Sequence, residues 1–110
     1  PPKRVLDIGC GDGQWIVDMT QKWPEAEFIG MDLVPIQTPV KLLEKDVQKR
    51  VSWVVGNALQ GLPFPDQCFD LVHIRFLNYG IPKQKWPGLL EEVNRVLSPA
   101  GELCILETDV

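Results

Sequence analysis

Along the first third of the chain the apolar positions change period twice. Val5 to Ile8 is a short apolar run broken by Gly9, Gly11 and Gly13, the pattern of a buried strand ending in a tight turn. From Gln14 onward Trp15, Ile16, Met19 and Trp23 recur at helical spacing until Pro24 stops the helix. Phe28-Ile29-Gly30-Met31 predicts a second strand closing at Asp32. After a proline-rich turn (Pro35, Pro39), Val40, Leu43 and Val47 predict a short amphipathic helix. Val51 to Val55 is β-branched and aromatic and predicts strand three. Gly56 to Gln67, punctuated by Gly61, Pro63 and Pro65, predicts a loop, and Phe69 to Ile74 strand four. Trp86-Pro87 opens a helix that carries Leu89, Leu90, Val93, Val96 and Leu97 on one face, with proline where its missing N–H costs little. Ser98-Pro99-Ala100-Gly101 predicts a turn, and Leu103 to Leu106 strand five.

Strands alternating with helices at this spacing imply an α/β fold, a doubly wound parallel sheet. Right-handed crossovers with a switch point after strand one give the strand order 3-2-1-4-5. No repeat, linker or low-complexity tract interrupts residues 1–110, which read as one unit. The abrupt start at Pro1-Pro2-Lys3-Arg4 reads as a core cut from a longer chain.

Charge and composition narrow the picture. A formal net charge of −4 argues against a broad electrostatic grip on nucleic acid, so no direct nucleic-acid binding is expected. The densest basic group, Lys45 with Lys49-Arg50, is interrupted by Asp46 and reads as a solvated helix face. Cys10, Cys68 and Cys104 are far apart and odd in number, which fits reduced thiols in a cytoplasmic or nuclear protein and neither a disulfide framework nor a zinc site. No metal is implied, and no apolar run approaches the roughly 20 residues that cross a bilayer, so no membrane partner is expected.

Chemistry points to the first turn. In such a sheet ligands sit at the carboxyl ends of the strands beside the switch point. Glycines there let a ligand approach the backbone, and the amides of the following helix suit an anionic group. Asp32, closing strand two, is placed to accept both hydroxyl hydrogens of a ribose. A dinucleotide site wants G-x-G-x-x-G, whereas here position 14 is Gln and the spacing is D-x-G-x-G-x-G. Asp12 also sits where a diphosphate would lie; like charges about 5 Å apart at an effective dielectric of about 20 repel by about 3 kcal/mol. S-adenosylmethionine has no phosphate, and its cationic groups make Asp7 and Asp12 tolerable neighbours. A nicotinamide-dependent reductase is disfavoured on the same spacing.

Val5-Leu6-Asp7-Ile8-Gly9-Cys10-Gly11-Asp12-Gly13 resembles motif I of the class I S-adenosylmethionine-dependent methyltransferases, and Gly30 to Gln37 resembles the acidic end of strand two in that family. The segments 56–76 and 89–105 resemble its adenine loop with strand four, and its last helix with strand five. Pro35-Ile36-Gln37, the strand Phe69 to Phe76 and Trp86-Pro87 are similar, more narrowly, to fungal methyltransferase-like regulators of secondary metabolism. The resemblance implies a Rossmann-like domain without the usual C-terminal antiparallel strands, with strand five left as an open edge. It implies that Gly9, Gly11 and the backbone near Cys10 line the methionine half of the cofactor, Asp7 helping to hold its ammonium. Asp32 would bind the ribose and Leu33 pack on the adenine. Asn57, where many relatives carry Asp, would meet the adenine amino group, and the Ala58 N–H a ring nitrogen.

His73, the only histidine, falls beside the expected reaction centre. It reads either as a general base, since imidazole titrates near neutral pH, or as a strand residue whose carbonyl faces the cofactor while its ring fills space. The second reading is favoured, because methyl transfer is a direct displacement that alignment alone can speed. Arg75, Asn78 and Tyr79 could touch an acceptor or serve as ordinary loop polar groups. Trp15, Trp23, Trp53 and Trp86 read as packing residues, Asp70 as structural, and nothing marks Cys10 as a nucleophile. The function expected is methyl transfer to a small-molecule or protein acceptor. The alternative is a non-catalytic, methyltransferase-like module that binds the cofactor and serves regulatory protein partners.

Overall fold

The computed structural model describes the backbone of residues 1–77 and 81–108, and the side chains of these residues except 75–77 and 106–108. Five parallel strands form one sheet: β1 (Arg4–Ile8), β2 (Glu27–Asp32), β3 (Val51–Val55), β4 (Phe69–Leu77) and β5 (Leu97–Thr108). Their order is β3-β2-β1-β4-β5, as the alternating pattern predicts. Helix α1 (Gln14–Lys22) follows β1, α2 (Lys45–Gln48) precedes β3, and α3 (Trp86–Val96) precedes β5.

Side chains alternate across the sheet and build two cores. Leu6, Ile8, Met31, Val72 and Ile74 face α3, where Leu89, Val93 and Val96 close the layer. Val5, Phe28 and Val51 face α1 and meet Ile16, with Trp15 and Trp23 packed alongside. On the α1 side a second row, in register across the sheet, runs Trp53, Gly30, Asp7, His73. That row lies directly below the glycine turn.

Four expectations change. The helix expected from Val40 to Val47 is a 3₁₀ turn over Val40–Leu42 followed by the four-residue α2, leaving Leu42 exposed. Arg50 is no part of a solvated face: its guanidinium is drawn inward and donates to the carbonyls of Thr20, Trp23 and Ala26, tying α1 to β2. The turn expected at residues 98–101 lies inside β5. Leu97 pairs with Phe69 and Glu102 with Leu71, so four residues face Asp70 alone and are looped out as a bulge. Pro99 has no N–H to give a ladder, and a side chain on Gly101 would stand 3.0 Å from the Ser98 carbonyl. In α3, Leu90 is exposed and Leu97 has already entered β5. Among the described residues no helix is long and apolar enough to cross a membrane.

Candidate cofactor site

The turn between β1 and α1 is fixed from below. Gly9 and Cys10 both donate their amides to the Met31 carbonyl (2.8 and 3.1 Å), and Gly13 donates to Cys10. Gly11 and Gly13 both have left-handed backbone, at φ +58° and +89°, where a side chain is strained. Their surroundings differ. A Cβ on Gly13 would lie 2.4 Å from the Trp53 indole, and one on Gly30 2.6 Å from it, whereas a Cβ on Gly11 would meet nothing within 4 Å. Gly13 and Gly30 are therefore glycine so that the indole can lie across them. Gly11 borders open space.

Asp32 reaches that open space. Its Oδ2 accepts the Gly11 N–H at 2.7 Å and its Oδ1 the Val34 N–H at 3.3 Å. Each carboxylate oxygen keeps a further lone pair. The segment after β2 is strapped to the turn: Gln37 donates to the carbonyls of Gly11 (3.0 Å) and Val34 (2.7 Å), Thr38 donates to Asp12, and the Trp53 indole N–H donates to Thr38 at 2.7 Å. Asp12 meanwhile accepts the Gln14 N–H at the start of α1. The sequence assigns Gln37 no role and Trp53 only packing; an indole lying over one glycine of the turn and another of β2 has no linear signature.

The residues expected to hold the cofactor fall into two groups. Gly9, Gly11, Asp32, Asn57 and Ala58 are partly accessible, and Leu33 is 65% exposed. Asp7, Cys10 and His73 are 1–3% exposed, below the turn. Asp7 Oδ1 lies 2.7 Å from His73 Nδ1, and the imidazole is stacked on Trp15 with ring centroids 3.9 Å apart and planes within 2°. The His73 ring is thus enclosed between β1 and α1. The Cys10 thiol is pushed up to about 12, first by burial and then by the charges of Asp7 and Asp32, so it stays neutral and unreactive.

Asn57 opens the loop after β3 and caps its 3₁₀ turn, Ala58–Gln60, by accepting the Leu59 N–H at 2.9 Å. A second lone pair on that oxygen remains for a ligand. Asp70 accepts the N–H groups of Lys3 and Arg4 and anchors the start of β1. Asn78, Tyr79 and the Arg75 side chain lie outside the described residues.

The family model of the methyltransferase domain matches residues 5–101. The chain belongs to this family. It is 37% identical over 111 residues to a demethylmenaquinone methyltransferase of Geobacillus kaustophilus, an alignment that covers 96% of this chain and 45% of that protein. The chain thus spans less than half the length of this curated relative. Among solved structures, a calicheamicin-biosynthesis methyltransferase, CalO1, in its SAH-bound form superposes with a TM-score of 0.75 at 20% identity, over 93% of this chain and 29% of that one. The [4+2]-cyclase SpnF superposes with a TM-score of 0.73 at 27% identity, over 94% of this chain and 38% of that one. The methyltransferase fold therefore carries more than one chemistry.

Proposed function

We propose that this methyltransferase domain binds S-adenosylmethionine at the β1–α1 turn and serves methyl transfer to a small-molecule or protein acceptor. One observation carries the reading: the Asp32 carboxylate closes on the Gly11 amide at the border of open space, with two lone pairs left for ribose hydroxyls. The residues present suit a cationic nucleoside. Carboxylates at Asp7, Asp12 and Asp32 surround the turn and disfavour a diphosphate while favouring a sulfonium and an ammonium.

Bound there, the cofactor supplies a methyl group on a sulfonium, which an acceptor lone pair takes while the sulfur keeps the electrons of the broken bond. The chain's part is to bind and orient. Asp32 holds the ribose, the Gly9 and Gly11 backbone borders the methionine half, and Leu33 presents an apolar face to the adenine. Asn57 and Ala58 offer an acceptor and a donor to the edge of that ring. Asp7 and His73, enclosed as they are, act from below: Asp7 by its negative potential, His73 by holding Asp7. Alignment is then the main source of rate. The narrower kinship with fungal regulators of secondary metabolism rests on Pro35-Ile36-Gln37, the β4 sequence and Trp86-Pro87. A cytoplasmic or nuclear setting rests on the spacing of the cysteines.

Calorimetric titration with S-adenosylmethionine and with NADH tests the reading. Saturable binding of the first and none of the second is expected; the reverse would overturn it. A second reading, a domain that binds the cofactor without transferring methyl, is favoured by the enclosure of the His73 ring. Binding of the cofactor with no turnover on any acceptor in a broad panel would select it.

A further inference from the structure

The loop from Gly56 to Gln67 has one short 3₁₀ turn and no other regular structure, yet its second half is held by five hydrogen bonds to two side chains of α3 and one backbone carbonyl. Arg95 donates from Nη2 to the Leu62 carbonyl (2.9 Å) and from Nη1 to the Phe64 carbonyl and Asp66 Oδ1 (both 2.8 Å). Glu92 aims that guanidinium, accepting its Nε at 2.7 Å and Nη2 at 3.1 Å, and with the same Oε1 accepts the Leu62 N–H at 2.8 Å. The Arg95 carbonyl accepts the Gln67 N–H at 2.9 Å. Leu62 is buried with Leu89 and Val93, so the anchor has an apolar base as well as polar ties. The Glu92 carboxyl is held down to about 2 by its hydrogen bonds with Arg95 and the Leu62 amide.

We propose that Arg95 and Glu92 are positioning residues for nucleobase discrimination, fixing this loop so that Asn57 and the Ala58 N–H meet the adenine edge with the correct polarity. The inference rests on the cofactor reading above. Asn57 and Ala58 follow β3 directly, where the Gly56 N–H donates to the Asp32 carbonyl at 2.9 Å, and the half anchored on α3 joins them from the other side through Gly61, whose φ of +106° leaves that joint dependent on its neighbours. With the Leu62 side fixed on α3, the 3₁₀ turn has one seat, and its packing of Ala58 and Leu59 against the same core keeps it there. An amide oxygen and an N–H side by side match the donor and acceptor on the edge of adenine. Hypoxanthine presents the reverse order and would leave both unpaired.

Titration with S-adenosylhomocysteine and with S-inosylhomocysteine reads this discrimination directly. The wild type is expected to prefer the adenine ligand. Arg95→Lys keeps the charge but exchanges the planar fork of separate nitrogens for a single ammonium, which loosens the hold on the loop, and is expected to weaken the adenine ligand by about tenfold. The inosine ligand should change little, so the ratio of the two affinities falls towards one. A general loss of stability would lower both affinities together, so the ratio separates positioning from structure. Arg95→Ala should go further, and Arg95→Lys carries the test alone should the alanine variant fail to fold. An unchanged ratio in Arg95→Lys would overturn the inference, as would a wild type that binds both ligands equally, which leaves the cofactor reading standing. A wild type that binds neither ligand would overturn the cofactor reading and the inference with it.

Discussion

Asp7 Oδ1 and His73 Nδ1 meet at 2.7 Å across the paired strands β1 and β4, both residues almost wholly buried under Trp15 of α1. This pair lies on the α1 side of the sheet, beneath the glycine turn that joins β1 to α1. Removing the His73 ring takes a hydrogen bond from the buried Asp7 carboxylate and leaves a void beside Trp15. His73→Ala is expected to cost about 2–4 kcal/mol of stability in urea unfolding. His73→Asn, which can still donate to Asp7, should cost less. If His73 were instead a general base, His73→Asn would abolish turnover with the stability intact.

Asp32 ties two segments together and would also hold the ligand. Asp32→Ala removes a charged acceptor from the Gly11 amide and from both ribose hydroxyls. A charge-assisted hydrogen bond contributes about 1.5–3 kcal/mol, so two of them lost predict a fall in S-adenosylmethionine affinity of at least about 100-fold by calorimetry. Asp32→Asn should lie between the two. Affinity within threefold of wild type in Asp32→Ala would remove Asp32 from the site.

Gly11 and Gly13, two of the three left-handed glycines of the turn, should part company on substitution. Gly11→Ala meets open space and pays only the left-handed strain, about 1–2 kcal/mol, while placing a methyl group where the ligand would lie. Gly13→Ala adds a collision with the Trp53 ring at 2.4 Å. The expected outcome is a larger drop in Tm for Gly13→Ala, and for Gly11→Ala a loss of affinity out of proportion to its Tm. Equal behaviour of the two would mean the space above Gly11 is not used.

Cys10 supplies a pH test. Its folded thiol is raised from the ordinary 9.0 to about 12, by burial first and by Asp7 and Asp32 next. A raised value means its stabilising contribution is complete below pH 9 and is lost as pH climbs towards 12. With a thiol-specific reagent at pH 8, exposed Cys104 should be labelled within minutes and Cys10 left unlabelled in the folded protein. Rapid labelling of Cys10 at that pH would contradict the buried, neutral thiol.

The strands, their order and the glycine turn between β1 and α1 were legible because each rests on local pattern: an apolar run, a glycine spacing, a carboxylate closing the next strand. Partnerships made across the sheet were not. Asp7 and His73 are distant in sequence and meet only through the β1–β4 register. Arg50 and Arg95 look, in one dimension, like charges on solvated helix ends; each is drawn to loop carbonyls that only the folded chain brings near. The Ser98–Gly101 segment reads as a turn from its proline and glycine, but a stretch that cannot pair can be expelled from a strand as well as end one. The 3₁₀ turn at Val40 shows the same limit: two prolines just upstream restrict the backbone more than three apolar positions favour a helix.

Trp53 reaches from β3 over Gly30 and Gly13 and grips Thr38, so three separate stretches around the turn share one rigid ring. The conformational entropy of ordering that cup is then lost during folding, before any ligand arrives. Association should accordingly run at the pace of encounter, with a temperature dependence close to that of solvent viscosity, and differences in affinity among ligands should be written in how slowly each one leaves.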